Sequence, residues 1–168
     1  MLEAPRVPSS RDPLADANGL ITRAWFRYLS EVPETIQMAS LETHAMVQNS
    51  TGATIPIGSV VGFAGVGSNN YISISKYLAN GSTPSLYILG VLAETLPDNG
   101  SIGLVTVWGP VTNVDTSAFN VGDILYASPT VAGGLTSVKP TATDNVIPVA
   151  AVLVKSATDG VLFVRTRS

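Results

Sequence analysis

The chain contains no cysteine, which excludes disulfide frameworks, thiolate zinc sites and thiol nucleophiles. Its single histidine, His44, leaves no second imidazole for a metal pair or a two-histidine facial triad. Charged residues make up 12% of the sequence, about half the fraction usual in soluble domains. The formal net charge is -3, which argues against a nucleic-acid partner or an anionic membrane surface. The longest unbroken apolar stretch, Val149 to Val154, falls far short of the roughly 18 residues that suggest a membrane span. The opening segment carries Glu3, Asp12 and Asp16 and has no apolar core, so neither a signal peptide nor membrane insertion is expected. No internal repeat of roughly 20–50 residues is visible.

What the chain does have is size and apolar content. Its 168 residues, 45% of them hydrophobic, suffice for one ordinary domain with a short appendage and no need of metal or disulfide staples. Charge is concentrated at the front: Arg6, Arg11, Arg23 and Arg27 join Glu3, Asp12, Asp16, Glu31, Glu34 and Glu42 before a nearly neutral remainder. Two parts follow, an N-terminal arm over residues 1–43 and a body over residues 44–168. Pro5, Pro8 and Pro13 hold the start of the arm extended. Asp16-Ala17-Asn18-Gly19 reads as a turn. Trp25, Leu29, Val32, Ile36 and Ala39 then follow a heptad-like spacing, with Thr22 as N-cap. Pro33 splits this stretch into two short helices, its ring falling in the first turn of the second. Helices this short are marginal alone, so they need a partner or symmetry mates.

The body reads as β throughout. Strands are expected at His44–Asn49, Ser59–Ala64, Tyr71–Lys76, Tyr87–Ala93, Ile102–Trp108, Val111–Val114, Ile124–Ala127, Val146–Lys155 and Val161–Thr166. Gly/Asn/Ser clusters separate them at the spacing of an all-β sandwich or barrel. Tyr71 to Ser75 alternates and predicts one wet face. Val149 to Val154 does not alternate: it is either a central core strand or one whose second face a neighbouring subunit covers, and the low charge favours partial subunit cover. Asp159-Gly160 is a hairpin signal between the last two strands. The predicted class is therefore all-β, a sandwich or barrel-like body with an extended arm and a short helix.

The search for chemistry yields no catalytic residue, metal site or cofactor. A Ser-His-Asp triad would have to use His44, and no Gly-x-Ser-x-Gly elbow is present. The acidic residues of the body sit in or beside turns, where they cap and solvate. Gly65-Val66-Gly67-Ser68-Asn69-Asn70 lacks the lysine and the following helix of a phosphate cradle, and reads as a hairpin loop. Asn49-Ser50-Thr51, Asn80-Gly81-Ser82 and Asn99-Gly100-Ser101 fit the N-glycosylation pattern but read as turns.

Binding remains. Trp25, Phe26 and Tyr28 stand nearly together between Arg23 and Arg27, the composition of an interface anchor. With Pro5, Pro8, Arg11, Pro13 and Leu29 they form the expected partner-docking element. Leu29, Val32, Ile36, Val152 and Val154 are the expected self-association residues, and Tyr77, Trp108 and Tyr126 the aromatics that could stack on a sugar.

The stretch Asn18-Gly19-Leu20-Ile21-Thr22-Arg23-Ala24-Trp25-Phe26-Arg27-Tyr28-Leu29 resembles the N-terminal segment of tailed-bacteriophage virion proteins, short tail-fibre proteins above all. The segment from Asn49 to Val61 is similar to the opening of a β-domain recurrent in phage fibres. Its later landmarks follow in order: Gly90 to Glu94, Asp115 to Phe119, Gly122 to Tyr126, Gly133 to Thr136, Lys139-Pro140 and Ala157 to Val164. The resemblance implies a homotrimer and a place in the virion. The leading expectation is a non-enzymatic tail or neck fibre, or a fibre-base adaptor, docked through its arm onto another virion protein. A capsid decoration or head-fibre protein is the alternative, and a knob binding host-surface glycans the second. Synthesis would take place in the host cytoplasm.

Overall fold

The computed structural model describes residues 8–9, 13–29, 42–98 and 100–166. The chain divides into two compact units, Met1–Leu41 and Glu42–Ser168, a boundary two residues before the one read from charge and composition.

In the first unit, the turn at Asp16 forms as expected. The Asp16 carboxylate accepts hydrogen bonds from the backbone N–H groups of Asn18 (2.8 Å) and Leu20 (3.0 Å). Backbone bonds from Asp16 N–H to Leu20 O and from Thr22 N–H to Leu14 O bring the flanks together around an Ala15–Ile21 bridge. Residues 23–29 are helical. Thr22 stands at the N-cap, its carbonyl accepting from Phe26 N–H at 2.9 Å, but its hydroxyl donates to Pro13 O at 2.8 Å instead of bonding to the helix. Pro5, Arg11, Val32, Pro33, Ile36 and the second short helix lie outside the described residues.

The second unit is all-β. Its strands are β1 (Thr43–Asn49), β2 (Val60–Val66), β3 (Ile72–Lys76), β4 (Ile88–Leu92), β5 (Ile102–Val114), β6 (Ile124–Ala127), β7 (Leu135–Thr136), β8 (Pro148–Val154) and β9 (Gly160–Arg165). They are hydrogen-bonded in the order β1-β3-β2-β4-β5-β9-β8-β6-β7, and a further β1–β5 ladder closes the first five into a barrel. Only β1 and β3 run parallel; the other pairs are antiparallel.

β5 belongs to both halves. Its first part, Ile102 to Trp108, pairs with β1 and β4 inside the barrel, and its last part, Trp108 to Val114, pairs with β9. Two separate strands were expected here, with Gly109-Pro110 between them. The strand continues because Gly109 takes φ +124°, bending the backbone, and because beyond Trp108 β9 is its only ladder partner, so a residue without an N–H is tolerated. Trp108 also marks where the chain begins and ends in this unit, since Thr43 pairs with it on one side and Arg165 on the other.

Strand alternation splits the apolar residues between two cores. Val47, Ile55, Val61, Ile74, Leu92, Leu96 and Val105 fill the barrel. The neighbours Val60 and Val91 point outward and pack with Val111, Leu125, Val149, Val152, Leu162 and Val164 between the barrel and the β9-β8-β6 sheet. Val152 is thus 1% exposed within the protein's own core, which removes it from the expected self-association set. The wet face expected for β3 does not form either. Ser73 is buried alongside Ile74, with the buried Gln48 opposite it on β1 and Gly65 opposite it on β2.

Gly58 and Gly122 adopt φ +78° and +88°, a region open to glycine at no steric cost. The β8–β9 hairpin is present, but Gly160 is the first residue of β9 and has no positive φ. Its glycine is required for space: a Cβ there would collide with Thr116 Oγ1 and Val114 O. The short β7 was not expected from its Gly-Gly-Leu-Thr sequence.

Candidate interaction surfaces

In the first unit, seven of the expected docking residues, Pro13, Arg23, Trp25, Phe26, Arg27, Tyr28 and Leu29, lie on one pre-shaped segment. Trp25 and Tyr28 pack edge to face with ring centroids 6.0 Å apart. Leu14, Leu20, Ile21, Phe26 and Leu29 remain 47–66% exposed, a large apolar display for so short a stretch. Arg23 and Arg27 are exposed one helical turn apart and so lie on one side of the helix. Pro8 is half-buried and Pro13 exposed.

In the second unit, the outward face of the β5-β9-β8-β6 sheet is the counterpart. Ladder register places Pro110, Phe163, Ala151 and Ile124 in one row across four strands. Trp108, Arg165, Val161, Leu153 and Tyr126 share this face by alternation. Ile124 is 56% and Leu153 49% exposed, and Val154 beside them 45%. Arg165 carries the one charge among these residues, and its guanidinium lies over the Trp108 ring at 5.5 Å. Trp108 in turn meets Phe163 edge to face at 5.3 Å. At the opposite end of the strands stand Asp115, Asp123 and Asp159, with Lys155 bonded through Nζ to Asn120 Oδ1. Ser117 holds the Asp115 carboxylate below its ordinary value of 3.8, through its hydroxyl first and its backbone N–H second.

The three aromatics expected for glycan stacking do not come together. Tyr77 is 2% exposed, packed beneath Gly62, with its hydroxyl donating to the carbonyls of Thr83 and Pro84 and accepting from Asn145 Nδ2. Burial pushes its phenol above the ordinary value of 10.0, and the Asn145 bond pulls the other way. Trp108 and Tyr126 share a face but are three strands apart, about 14 Å at ordinary strand spacing.

His44 has a more interesting setting than its sequence suggests. Nε2 pairs with Glu42 Oε2 at 2.9 Å and Nδ1 with Thr106 Oγ1 at 3.2 Å, the order carboxylate, imidazole, hydroxyl. Thr106 is 0% exposed, so no substrate reaches that hydroxyl. Clefts among the described residues add little to these surfaces. One of about 330 Å³ runs along Leu86, Ile88, Val146, Ile147 and Pro148 and carries only Ser85 and Thr166 hydroxyls. Another of about 240 Å³ is lined by Ile57, Phe119, Leu135 and Asp115 among others. Neither gathers the convergent polar groups that orient a small substrate.

Sequence reading missed Gln48, and read Asn49 as a turn residue without its burial; both are buried at the end of β1. Gln48 donates to Ser68 Oγ and Gly100 O and accepts from Ser68 N–H. Asn49 donates to Ala53 O, Leu96 O and Pro97 O and accepts from Thr51. Among the described residues no group of three or more potential metal ligands occurs. No family model, curated protein or solved structure matches the chain.

Proposed function

We propose that the protein is a non-enzymatic structural component of a tailed-bacteriophage particle, a homotrimeric tail or neck fibre or fibre-base adaptor. It docks onto another virion protein through its N-terminal unit. The observation that carries this reading is the apolar display of the Pro13–Leu29 segment. Its turn and helix are already shaped by Asp16 and Thr22, yet four large apolar side chains stay more than half exposed and a fifth, Leu29, nearly so. Exposure on that scale fits a segment built to be covered. The β body, with two complete cores of its own, would supply shape. The resemblance of residues 18–29 and 49–164 to phage fibre proteins supports this choice of particle.

Localisation on intact particles tests the reading, by electron cryo-microscopy or by gold-labelled antibody against the body. Label at the tail or neck in a small fixed number is expected. Label spread over the head would make the protein a capsid decoration, its N-terminal unit lying on the shell. Label nowhere would overturn both.

A further inference from the structure

We propose that Asn80 is a site of self-modification: its side-chain amide is displaced by the backbone nitrogen of Gly81, leaving aspartate or isoaspartate at position 80. The inference is independent of the particle the chain joins.

The sequence holds three Asn-Gly pairs, beginning at Asn18, Asn80 and Asn99. In such a pair no Cβ hinders the approach of the glycine nitrogen to the asparagine Cγ, so the sequence marks all three alike. The fold separates them by what the glycine N–H does. Gly19 N–H donates to Asp16 O at 3.0 Å, and Gly100 N–H to Asn49 O at 2.9 Å. Each of those nitrogens must give up a backbone bond before it can attack. Gly81 N–H makes no such bond among the described residues, and Asn80, Gly81 and Ser82 are all exposed. The electrophile is prepared as well. Asn80 Oδ1 accepts from Ser82 N–H at 3.1 Å and from Ser82 Oγ at 2.5 Å. The ring closed by the first of these bonds contains Gly81 N, so Cγ and the attacking atom are held in one tight turn. Both donors meet the oxygen on which negative charge gathers during the attack, as in an oxyanion hole. Asn49 receives the same two donors from Thr51, but it is buried, three carbonyls hold its Nδ2, and Ser50 follows it in place of glycine.

The step balances with water and hydroxide as the co-reactants. Gly81 N–H gives its proton to hydroxide, and the nitrogen forms a bond to Asn80 Cγ. The Cγ–Nδ2 bond breaks, Nδ2 takes a proton from water and leaves as ammonia, and a succinimide ring remains. Water opens either carbonyl of that ring, which yields aspartate or isoaspartate. Isoaspartate also adds a methylene to the main chain, where Gly81 lies close against Thr143 O. Thr83 O, just beyond, accepts from Tyr77 and Asn145, so the lengthened turn bears on that group.

The test holds the full chain at pH 9 and at pH 5, folded or in guanidinium chloride, and follows it by peptide mapping with fragment-ion sequencing. In the folded protein at pH 9, Asn80 is expected to gain about 1 Da while Asn18 and Asn99 keep their amides. In guanidinium chloride all three should convert, because only local sequence then acts. At pH 5 conversion at Asn80 should be slower, since little hydroxide is present to take the glycine proton. Ser82→Ala is an exposed change that should leave the melting temperature unaltered. It should slow conversion at Asn80 several-fold in the folded protein and little in the unfolded one. A folded protein that keeps its Asn80 amide would overturn the inference, as would conversion of Asn18 or Asn99 as fast as that of Asn80. An unchanged rate in folded Ser82→Ala would overturn the role given to the Ser82 hydroxyl.

Discussion

Asn49 and Asn80 offer a controlled comparison of one local motif in two settings. Each begins an Asn-x-Ser/Thr turn, and in each the side-chain oxygen accepts from the N–H and the hydroxyl of the residue two positions on. Asn80 is exposed. Asn49 is 0% exposed, and its Nδ2 also serves three carbonyls, Ala53 at 2.8 Å, Pro97 at 2.9 Å and Leu96 at 3.2 Å. Two of these have another donor: Ala53 O accepts from Thr51 Oγ1, and Leu96 O from Ile55 N–H. Asn49→Ala therefore leaves Pro97 O and Thr51 N–H without their partner on the side where the buried amide stood, and at about 1–3 kcal/mol for each group the total is about 2–6 kcal/mol, towards the lower end to the extent that water reaches them from the exposed sides of Thr51 and Pro97. For a body of this size that corresponds to a melting temperature lower by roughly 6–30 °C. Asn80→Ala leaves groups that water can reach and should cost under about 1 kcal/mol. Urea denaturation followed by circular dichroism measures both. Equal losses, or an Asn49 variant within about 1 kcal/mol of wild type, would refute the argument that burial of the donor side separates the two sites.

Three other perturbations have defined outcomes. Tyr77 ionises less readily in the folded protein than in the unfolded chain, so its contribution is complete below about pH 10 and shrinks as pH rises above it. Denaturation at pH 9 and pH 11 should show wild type losing more stability than Tyr77→Phe, and parallel losses would contradict this. Gly90→Ala places a Cβ against Thr106 O and the Val105 side chain where β4 crosses β5, and should cost several kcal/mol or prevent barrel closure. A variant with wild-type melting would be inconsistent with the described β4–β5 approach. Deleting residues 1–41 should leave a β body with an unchanged melting temperature that no longer joins particles, whereas a truncated body that fails to fold would show the units to be interdependent.

How far the fold was legible depended on the range of the interactions. Strand positions came through because they are local: Ile124 to Ala127 matches its prediction, and β1, β2, β3 and β9 fall within two residues of theirs at each end. The Asp16 turn was equally local. Closure of the barrel was not, because it rests on β1 pairing with both β3 and β5, contacts that no short window encodes. Gly109-Pro110 looked like a break because the absence of a second ladder partner beyond Trp108 is a tertiary fact. The suspected surfaces fared unevenly for the same reason. Val152 and Val154 belong to one apolar run, and only register reveals that the first faces a core and the second solvent. Tyr77 carried no sequence mark of the close approach to Gly62 that buries its ring.

The pairing of Thr43 and Arg165 on either side of Trp108 has a mechanical consequence. Tension applied between those two residues pulls across the strands, about 10 Å apart at ordinary ladder spacing, and not along them. The load therefore falls on one rung at a time, starting beside Trp108, where the Arg165 and Phe163 contacts act as the clasp. A body tethered at both ends in this way yields by unzipping, at low force. Tethered through one end alone it bears no such load, and its two cores are never tugged apart. Optical-trap extension between positions 43 and 165 would register the difference as a low-force peel, and a high-force shear event would rule it out.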